Sequence, residues 1–171
     1  MSSNKMNALV GEEHIKTLFS IFKNNDAELR LVGGSIRDVM MSRVTSDIDS
    51  ATTSEPNDVL KLLKKNNIEY DDFAIRYGSI IAYPNNKKIQ ITSLREDINQ
   101  LGRHTSVLFT KDWKKDAARR DFTFNALYLG EDSKLYDYYN GQEDLQAKVI
   151  KFIGEIEDRI KEDYLRIYRY F

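Results

Sequence analysis

Cysteine is absent from this chain, and proline, histidine and glycine are scarce. Without thiols there is neither a disulfide framework nor a thiolate metal site. The only histidines, His14 and His104, lie far apart, so a histidine-rich zinc centre is not expected. No run approaches the roughly 18 apolar residues of a membrane span. No apolar stretch follows the polar start Met1–Lys5, so the expectation is a cytoplasmic protein without a membrane partner. Internal repeats and low-complexity linkers are missing, and so is an excess of charge. Lys and Arg number 26 against 27 Asp and Glu, a net charge of −1. Near-neutrality removes global charge as an argument for nucleic acid but leaves local patches open. What is present is a globular composition of 171 residues, 41% hydrophobic and 31% charged. That length carries a sizeable core in one ordinary domain, with or without a short extension.

Periodicity outlines the elements. Leu9, Ile15, Leu18, Phe19 and Phe22 sit at helical spacing, predicting one helix over residues 8–23 that ends in the turn-like Lys23–Asp26. Leu29–Val32 suits a short strand. Gly33-Gly34 breaks it, and Ser35 is a candidate cap for a helix over Ile36–Met41. Asp47–Thr53 reads as the next strand. Pro56, near the first turn where a missing N–H costs little, opens a helix to about Lys65. Tyr77–Tyr83 and Lys88–Leu94 flank a Pro-Asn-Asn-Lys turn and predict a hairpin. Residues 95–111 lack periodicity and are expected to form a long mobile loop. Asp112–Arg120 looks helical, and Phe122–Leu129 is ambiguous between helix and strand. Leu135–Tyr139 and Val149–Phe152 suit short strands on either side of a turn and short helix at Gly141–Ala147. Glu155–Phe171, with apolar Ile156, Ile160, Tyr164, Ile167, Tyr168 and Phe171, predicts one final helix. It lacks a C-cap glycine. Either it docks on its own core, or it continues in a longer parent or packs on a partner.

Four constellations carry candidate chemistry. Gly33-Gly34-Ser35-Ile36-Arg37-Asp38 places two glycines between strand and helix. There a backbone can approach a phosphate and Arg37 can fork onto it, though a plain tight turn explains the glycines equally. Asp47-Ile48-Asp49 puts two carboxylates on one face of a strand. They repel unless a cation lies between them, and hard oxygen ligands suit Mg²⁺. A phosphate cradle and a carboxylate pair on successive strands together suit a nucleoside triphosphate with Mg²⁺. Arg119-Arg120-Asp121 can hold phosphate and ribose hydroxyls, and apolar Phe122, Phe124 and Ala126 argue against a freely solvated face. Asp163, Arg166 and Arg169 recur every three residues on the final helix. That spacing fits a nucleobase-reading pair or a plain i,i+3 salt bridge.

Taken together, these residues resemble the class II tRNA nucleotidyltransferase and bacterial poly(A) polymerase family. Leu31–Asp38 with Asp47, Asp49 and Thr52 is similar to its first motif, and Arg119–Ala126 to its second. Tyr136–Gly141 resembles its Asp-Pro-x-x-Gly segment, and Glu162–Arg166 its nucleotide-selecting motif. The resemblance implies an α+β fold: a polymerase-β-type head, a small mixed sheet flanked by helices, followed by the first neck helix. It divides the chain into an N-terminal helix packing on the head (1–28), the head (29–140) and the start of a helical neck (141–171). It implies that Gly33, Gly34 and Arg37 hold the triphosphate and that Asp47 and Asp49 bind catalytic Mg²⁺. Arg120 and Asp121 would contact the nucleotide. Asp163 and Arg166 would pair with the Watson–Crick edge of CTP or ATP, supported by Arg169. The loop at Ile98–Lys111, with Gly102-Arg103-His104, corresponds to the family's flexible loop.

The implied reaction adds CMP and AMP to the 3′ end of tRNA. Poly(A) synthesis, partial addition of CC or A, and a non-catalytic nucleotide- or RNA-binding remnant are the alternatives. One departure stands out. Gln90 occupies the hairpin-strand position where a carboxylate beside the metal pair is expected, and an amide brings no charge. The family's remaining neck, body and tail, which grip tRNA, lie outside these residues. A homodimer or a partner supplying the body and tail is therefore an expectation.

Overall fold

The computed structural model describes residues 2–45, 47–101 and 104–171. Side chains 2–3, 99–101 and 104–105 are not described. Gly102 and Arg103 of the predicted loop lie outside the described residues.

The first apolar stretch forms two helices, α1 (Ser2–Val10) and α2 (Glu13–Lys23), not one. Gly11 closes α1, and Glu12 turns extended, with ψ 135°. Strand β1 (Leu29–Val32) follows, then α3 (Gly34–Met40), β2 (Ile48–Thr52) and α4 (Pro56–Lys65). Gly33 rather than Ser35 precedes α3. It has φ 79°, a left-handed value that only glycine adopts without cost, and the Ser35 hydroxyl is buried without a partner. Strands β3 (Tyr70–Asp71), β4 (Ser79–Ala82) and β5 (Ile89–Ser93) complete this half, and β4 and β5 form the expected hairpin.

The expected loop at 95–111 is instead a second, two-stranded sheet of β6 (Arg95–Leu101) and β7 (His104–Phe109). Its charged residues come in an unbroken run, Arg95-Glu96-Asp97, and no apolar alternation marks either strand, so a search for hydrophobic periodicity passes over it. Ion pairs hold it: Arg95 to Asp97 at 3.2 Å, and Lys115 to Glu96 at 3.0 Å. Helix α5 (Trp113–Ala118) is capped by the Asp112 carboxylate, which accepts from the Lys114 and Lys115 amides. The ambiguous 122–129 stretch resolves into a 3-10 turn at Thr123–Asn125 and strand β8 (Leu127–Leu129). Strand β9 (Leu135–Asp137) and helix α6 (Gly141–Ala147) follow. The strand expected at Val149–Phe152 reduces to a single bridge, Phe122 to Phe152.

The main sheet runs β3-β4-β5-β2-β1-β8-β9 and is mixed, because β2 and β5 are parallel while the other neighbours are antiparallel. Alternation divides its two faces. Leu29, Leu31, Ile48, Ile80, Ile89, Ile91, Leu127 and Leu129 join one core with Leu18, Phe22, Ile36 and Leu63 from the helices. The register places Val32, Asp49, Gln90 and Ile81 side by side across the sheet. Val32 belongs to a second core with Ala51, Trp113, Ala117 and Tyr128.

The predicted final helix is two helices, α7 (Ile156–Glu162) and α8 (Leu165–Tyr170). Asp163 is extended, with φ −154° and ψ 102°, and its carboxylate accepts from the Leu165 amide at 3.0 Å, starting α8 afresh. The apolar spacing runs straight across this break, so periodicity alone predicts continuity. Tyr170 stacks on Phe152, but Tyr164, Leu165, Tyr168 and Phe171 are exposed.

The Tyr136–Gly141 segment serves the fold directly. The Asp137 carboxylate accepts from the Tyr139, Gly141 and Gln142 amides at 3.2, 2.9 and 2.9 Å. A Cβ on Gly141 would lie 2.2 Å from the Thr123 carbonyl oxygen. Gly141→Ala is therefore expected to cost about 1–3 kcal/mol through overpacking. An unchanged urea midpoint would show that the backbone relaxes there freely.

Candidate active site

A turn, a strand, a helix end and the last helix converge on one polar cavity of about 430 Å³. Gly33, Gly34 and Arg37 line it from the β1–α3 turn, Asp49 from β2, and Arg119, Arg120, Asp121 and Asn125 from the segment after α5. Asp163, Arg166 and Arg169 close it from the C-terminal side, and Arg95 and Asp97 border it from β6. Of the predicted site residues, only Asp47 does not line it. Asp47 is exposed, one residue before β2.

Hydrogen bonds join these elements into a relay. The Arg37 guanidinium donates from Nε to Asp38 at 2.9 Å and from Nη1 to the Asn125 Oδ1 at 3.3 Å. Asn125 donates from Nδ2 to Asp121 Oδ1 at 3.0 Å. Arg169 bridges the other Asp121 oxygen, at 3.3 Å, to Asp163, at 2.7 Å. A line of polar contacts thus runs from the glycine turn to the last helix.

Asp163 and Arg166 both line the cavity but do not form the i,i+3 salt bridge with each other. The buried Arg166 guanidinium donates to Glu162 at 2.7 Å, to the Arg159 carbonyl at 2.9 Å and to the Arg119 carbonyl at 3.3 Å. The break before α8 removes Asp163 from the helical arc, and Arg169 becomes its partner.

Beneath the cavity lies a group that the sequence reading passed over. Asp116 is fully buried. One of its oxygens accepts from Arg119, at 2.9 and 2.8 Å, and the other from Arg120, at 3.3 and 3.0 Å. The Tyr128 hydroxyl donates to it at 2.7 Å, and Arg120 donates to Tyr128 at 3.1 Å. Burial pushes the Asp116 pKa up, but the Arg120 and Arg119 charges and the Tyr128 hydroxyl outweigh it, and the group stays ionised well below the usual carboxylate range. Tyr128 is pushed up, first by burial and then by the nearby Asp116, so it remains a donor. A signal existed: Asp116 stands three and four residues before Arg119 and Arg120, the spacing of neighbours on a helix. Arg95 and Asp97 had no comparable signal, because strand pairing brings them in.

Asp49 is half-buried, and its pKa is raised, mainly by burial and further by the nearby Asp47 charge, against the lowering influence of Arg120 and Lys88. Two carboxylates that close repel, which favours a cation between them. Gln90 lies in register beside Asp49 on β5. Among the described residues no cluster of three or more Asp, Glu or His side chains is placed to hold a metal. Asp49 and Asp47 are hard oxygen donors, the type of ligand that suits a divalent cation such as Mg²⁺.

Residues 29–151 match the family described as the poly(A) polymerase head domain. The chain belongs to this family of poly(A) polymerases and CCA-adding nucleotidyltransferases. It is 42% identical over 160 residues to CCA tRNA nucleotidyltransferase 1, mitochondrial, of Homo sapiens, covering 93% of this chain and 37% of that protein. It is 33% identical over 159 residues to the CCA-adding enzyme of Staphylococcus aureus, covering 92% and 39%. The crystal structure of the Bacillus stearothermophilus CCA-adding enzyme in complex with CTP superposes with a TM-score of 0.80 at 28% identity, covering 92% of this chain and 38% of that one. The chain thus spans about two-fifths of the length of the relatives it matches. The mixed sheet flanked by helices is the head fold that the motifs imply. Among the described residues no helix is long and apolar enough to cross a membrane.

Proposed function

We propose that this chain is the nucleotide-binding and catalytic head of an RNA nucleotidyltransferase that adds CMP and AMP, from CTP and ATP, to the 3′ end of tRNA. The observation that carries this reading is the convergence of the glycine turn, Arg37, Asp49, Arg120 and Asp163 on one cavity. Residues 141–171 begin the neck, and further neck, body and tail segments, or a partner chain, hold the tRNA.

Gly33 and Gly34 leave room for phosphate oxygens, since nothing nearer than 3.5 Å faces the missing side chain of either. Arg37 and Arg120 neutralise the triphosphate, and the buried Asp116 keeps Arg120 aimed and charged. Asp121 faces the ribose. Asp163, Arg166 and Arg169 form the base-reading end, where Asp163 offers acceptors and the arginines donors. Asp47 and Asp49 hold Mg²⁺, which when bound supplies charge neutralisation at the phosphates and lowers the pKa of the attacking hydroxyl. The primer 3′-oxygen forms its bond to the α-phosphorus as the bond to pyrophosphate breaks, in line, and the hydroxyl proton leaves to solvent. The protein's contribution is largely positioning and fixed charge. Gln90, lacking charge, weakens the hold on the metal relative to a carboxylate.

The test is incorporation of labelled CTP and ATP, singly and together, onto tRNA ending at the discriminator base, with Mg²⁺. Addition of C, C and A supports the reading. Addition of A alone, in long runs, moves it to poly(A) synthesis, and nucleotide binding without incorporation makes the chain a binding head. Asp163→Ala should reduce discrimination among CTP, ATP, GTP and UTP by about tenfold or more, since a bidentate base contact is worth ~1–3 kcal/mol. Unchanged selectivity would leave Asp163 only its role in starting α8.

A further inference from the structure

Arg30 is a buried charge that the polar cavity does not use. It lies within β1, 6% exposed, on the same face of the strand as Val32. Its neighbours Leu29 and Leu31 join the apolar core on the other face. The guanidinium sits between two rings, with Trp113 at 4.0 Å and Tyr136 at 3.5 Å. Nε donates to Glu28 Oε1 at 2.7 Å, Nη2 donates to the same oxygen, and Nη1 donates to the Tyr138 hydroxyl at 3.0 Å. The other Glu28 oxygen accepts from the Trp113 indole N–H at 3.0 Å.

Taking a guanidinium out of water costs free energy that a leucine at the same place would avoid. What a planar cation with five donors provides, and leucine does not, is direction. It fixes the planes of the rings above and below it and the place of each acceptor around its edge. Three elements meet in this arrangement: β1 through Arg30, α5 through Trp113, and β9 with the turn after it through Tyr136 and Tyr138.

Two of the side chains around Arg30 also pack on Tyr128. The Trp113 ring lies edge-on to it at 5.3 Å between centroids, and the Tyr138 ring at 6.0 Å. Tyr128 is fully buried, and its hydroxyl is the one that donates to Asp116 and accepts from Arg120. Trp113 also opens α5, about one turn before Asp116. Both routes from Arg30, through the Tyr128 ring and along α5, therefore end at the Asp116–Arg120 pair, and Arg120 lines the cavity. We infer that Arg30, with Glu28 as its counter-charge, is a positioning residue for Arg120, locking Trp113 and Tyr138 around Tyr128 and so aiming the guanidinium that meets the triphosphate. Arg30 touches no substrate and acts only through these rings. The inference rests on the nucleotidyltransferase reading and adds to it a residue behind the cavity wall that sets nucleotide affinity.

The experiment compares the 171-residue chain with Arg30→Met, an uncharged side chain of similar length, and with Glu28→Gln, which removes the counter-charge at a partly exposed position. Two quantities are read well below each melting midpoint: the CTP dissociation constant, and the NMR signal of the Arg120 Nε–H without ligand. Arg30→Met should weaken CTP binding about tenfold, the loss of one well-aimed charge-assisted hydrogen bond, and should move the Arg120 signal. Glu28→Gln should move both in the same direction by less, and it decides the matter by the same two readouts if Arg30→Met does not fold. Arg30→Lys should bind CTP as weakly as Arg30→Met, because a point charge neither stacks between the rings nor forks onto Glu28. An unchanged CTP dissociation constant in the folded variant overturns the inference, whatever the melting midpoint does. So does weakened binding with the Arg120 signal unmoved, since the effect would then bypass Arg120. Full affinity in Arg30→Lys overturns it as well, because charge alone would suffice. Failure of the native chain to bind CTP defeats the nucleotidyltransferase reading instead.

Discussion

Asp49→Asn is expected to abolish nucleotide incorporation, by at least about a thousandfold, without destabilising the protein. The activity loss follows from removing one of only two carboxylates at the proposed metal site, whose charge stabilisation is worth several kcal/mol, with ~1.4 kcal/mol per tenfold in rate. Gln90 already stands in register beside it and brings no charge, so no neighbouring carboxylate on β5 takes over. The stability half has the opposite sign from most buried substitutions. The folded-state pKa of Asp49 lies above its ordinary value, because burial and Asp47 disfavour its charge. A raised carboxylate pKa means that the folded state binds more protons than the unfolded state between the two values, so stability falls as pH rises through that window. At neutral pH the charged group therefore costs the fold something, and the isosteric amide relieves it. Thermal melts in metal-free buffer should give a midpoint equal to or above that of the unsubstituted chain. Retained incorporation would remove Asp49 from the catalytic assignment. A large fall in the melting midpoint would show that the carboxylate is structural.

Asp116→Asn should do the reverse, striking stability first. The Asp116 carboxylate is the common counter-charge of Arg119 and Arg120 and the acceptor for Tyr128. The amide leaves two guanidiniums beside a neutral group in a buried setting. Breaking a buried pair in this way costs about 3–5 kcal/mol, a large share of the ~5–15 kcal/mol that holds a domain together. For a chain of this size that is a melting shift of roughly 10 °C. Arg120 also loses its orientation at the cavity wall, so CTP binding should weaken in the fraction that remains folded.

The pH dependence of this difference has a definite sign. The Asp116 pKa is lowered from 3.8 in the folded state, so its contribution is fully present above that value and is lost as pH falls towards the folded one. The stability gap between the native chain and Asp116→Asn should be flat from about pH 6 to 8 and should begin to narrow only below about pH 4. A gap that closes near pH 6 would mean that Asp116 titrates in the ordinary histidine range and is not the ionised anchor described above.

The two substitutions separate the residues that act on substrate from those that hold them. Asp49 and Arg37 reach the cavity directly. Arg166 reaches its edge but spends its donors on Glu162 and on the Arg159 and Arg119 carbonyls. Replacing Arg166 therefore disturbs the docking of α8 as well as any base contact, which is why Asp163→Ala is the cleaner probe of nucleotide choice.

Local chemistry in the sequence was enough to place the glycine turn between β1 and α3, Asp49 on β2 and the β4–β5 hairpin. Each depends on residues within a few positions of one another: a left-handed glycine, a period of two, a turn-forming Pro-Asn-Asn. The family motifs then carried the grouping of distant segments into one site, which composition and spacing do not supply. What only the tertiary structure decided depends on partners far apart in the chain. Asp116 became an anchor because folding buried it between two arginines and Tyr128 of another strand. The 95–101 and 104–109 segments became strands because their backbones pair with each other, with Lys115 of α5 bound to Glu96 on the first. Asp163 changed partner from Arg166 to Arg169 because its own carboxylate found the Leu165 amide and broke the helix. Hydrophobic periodicity is blind to all three, since each is made by polar groups whose energy depends on burial and exact neighbours, neither of which a linear pattern contains.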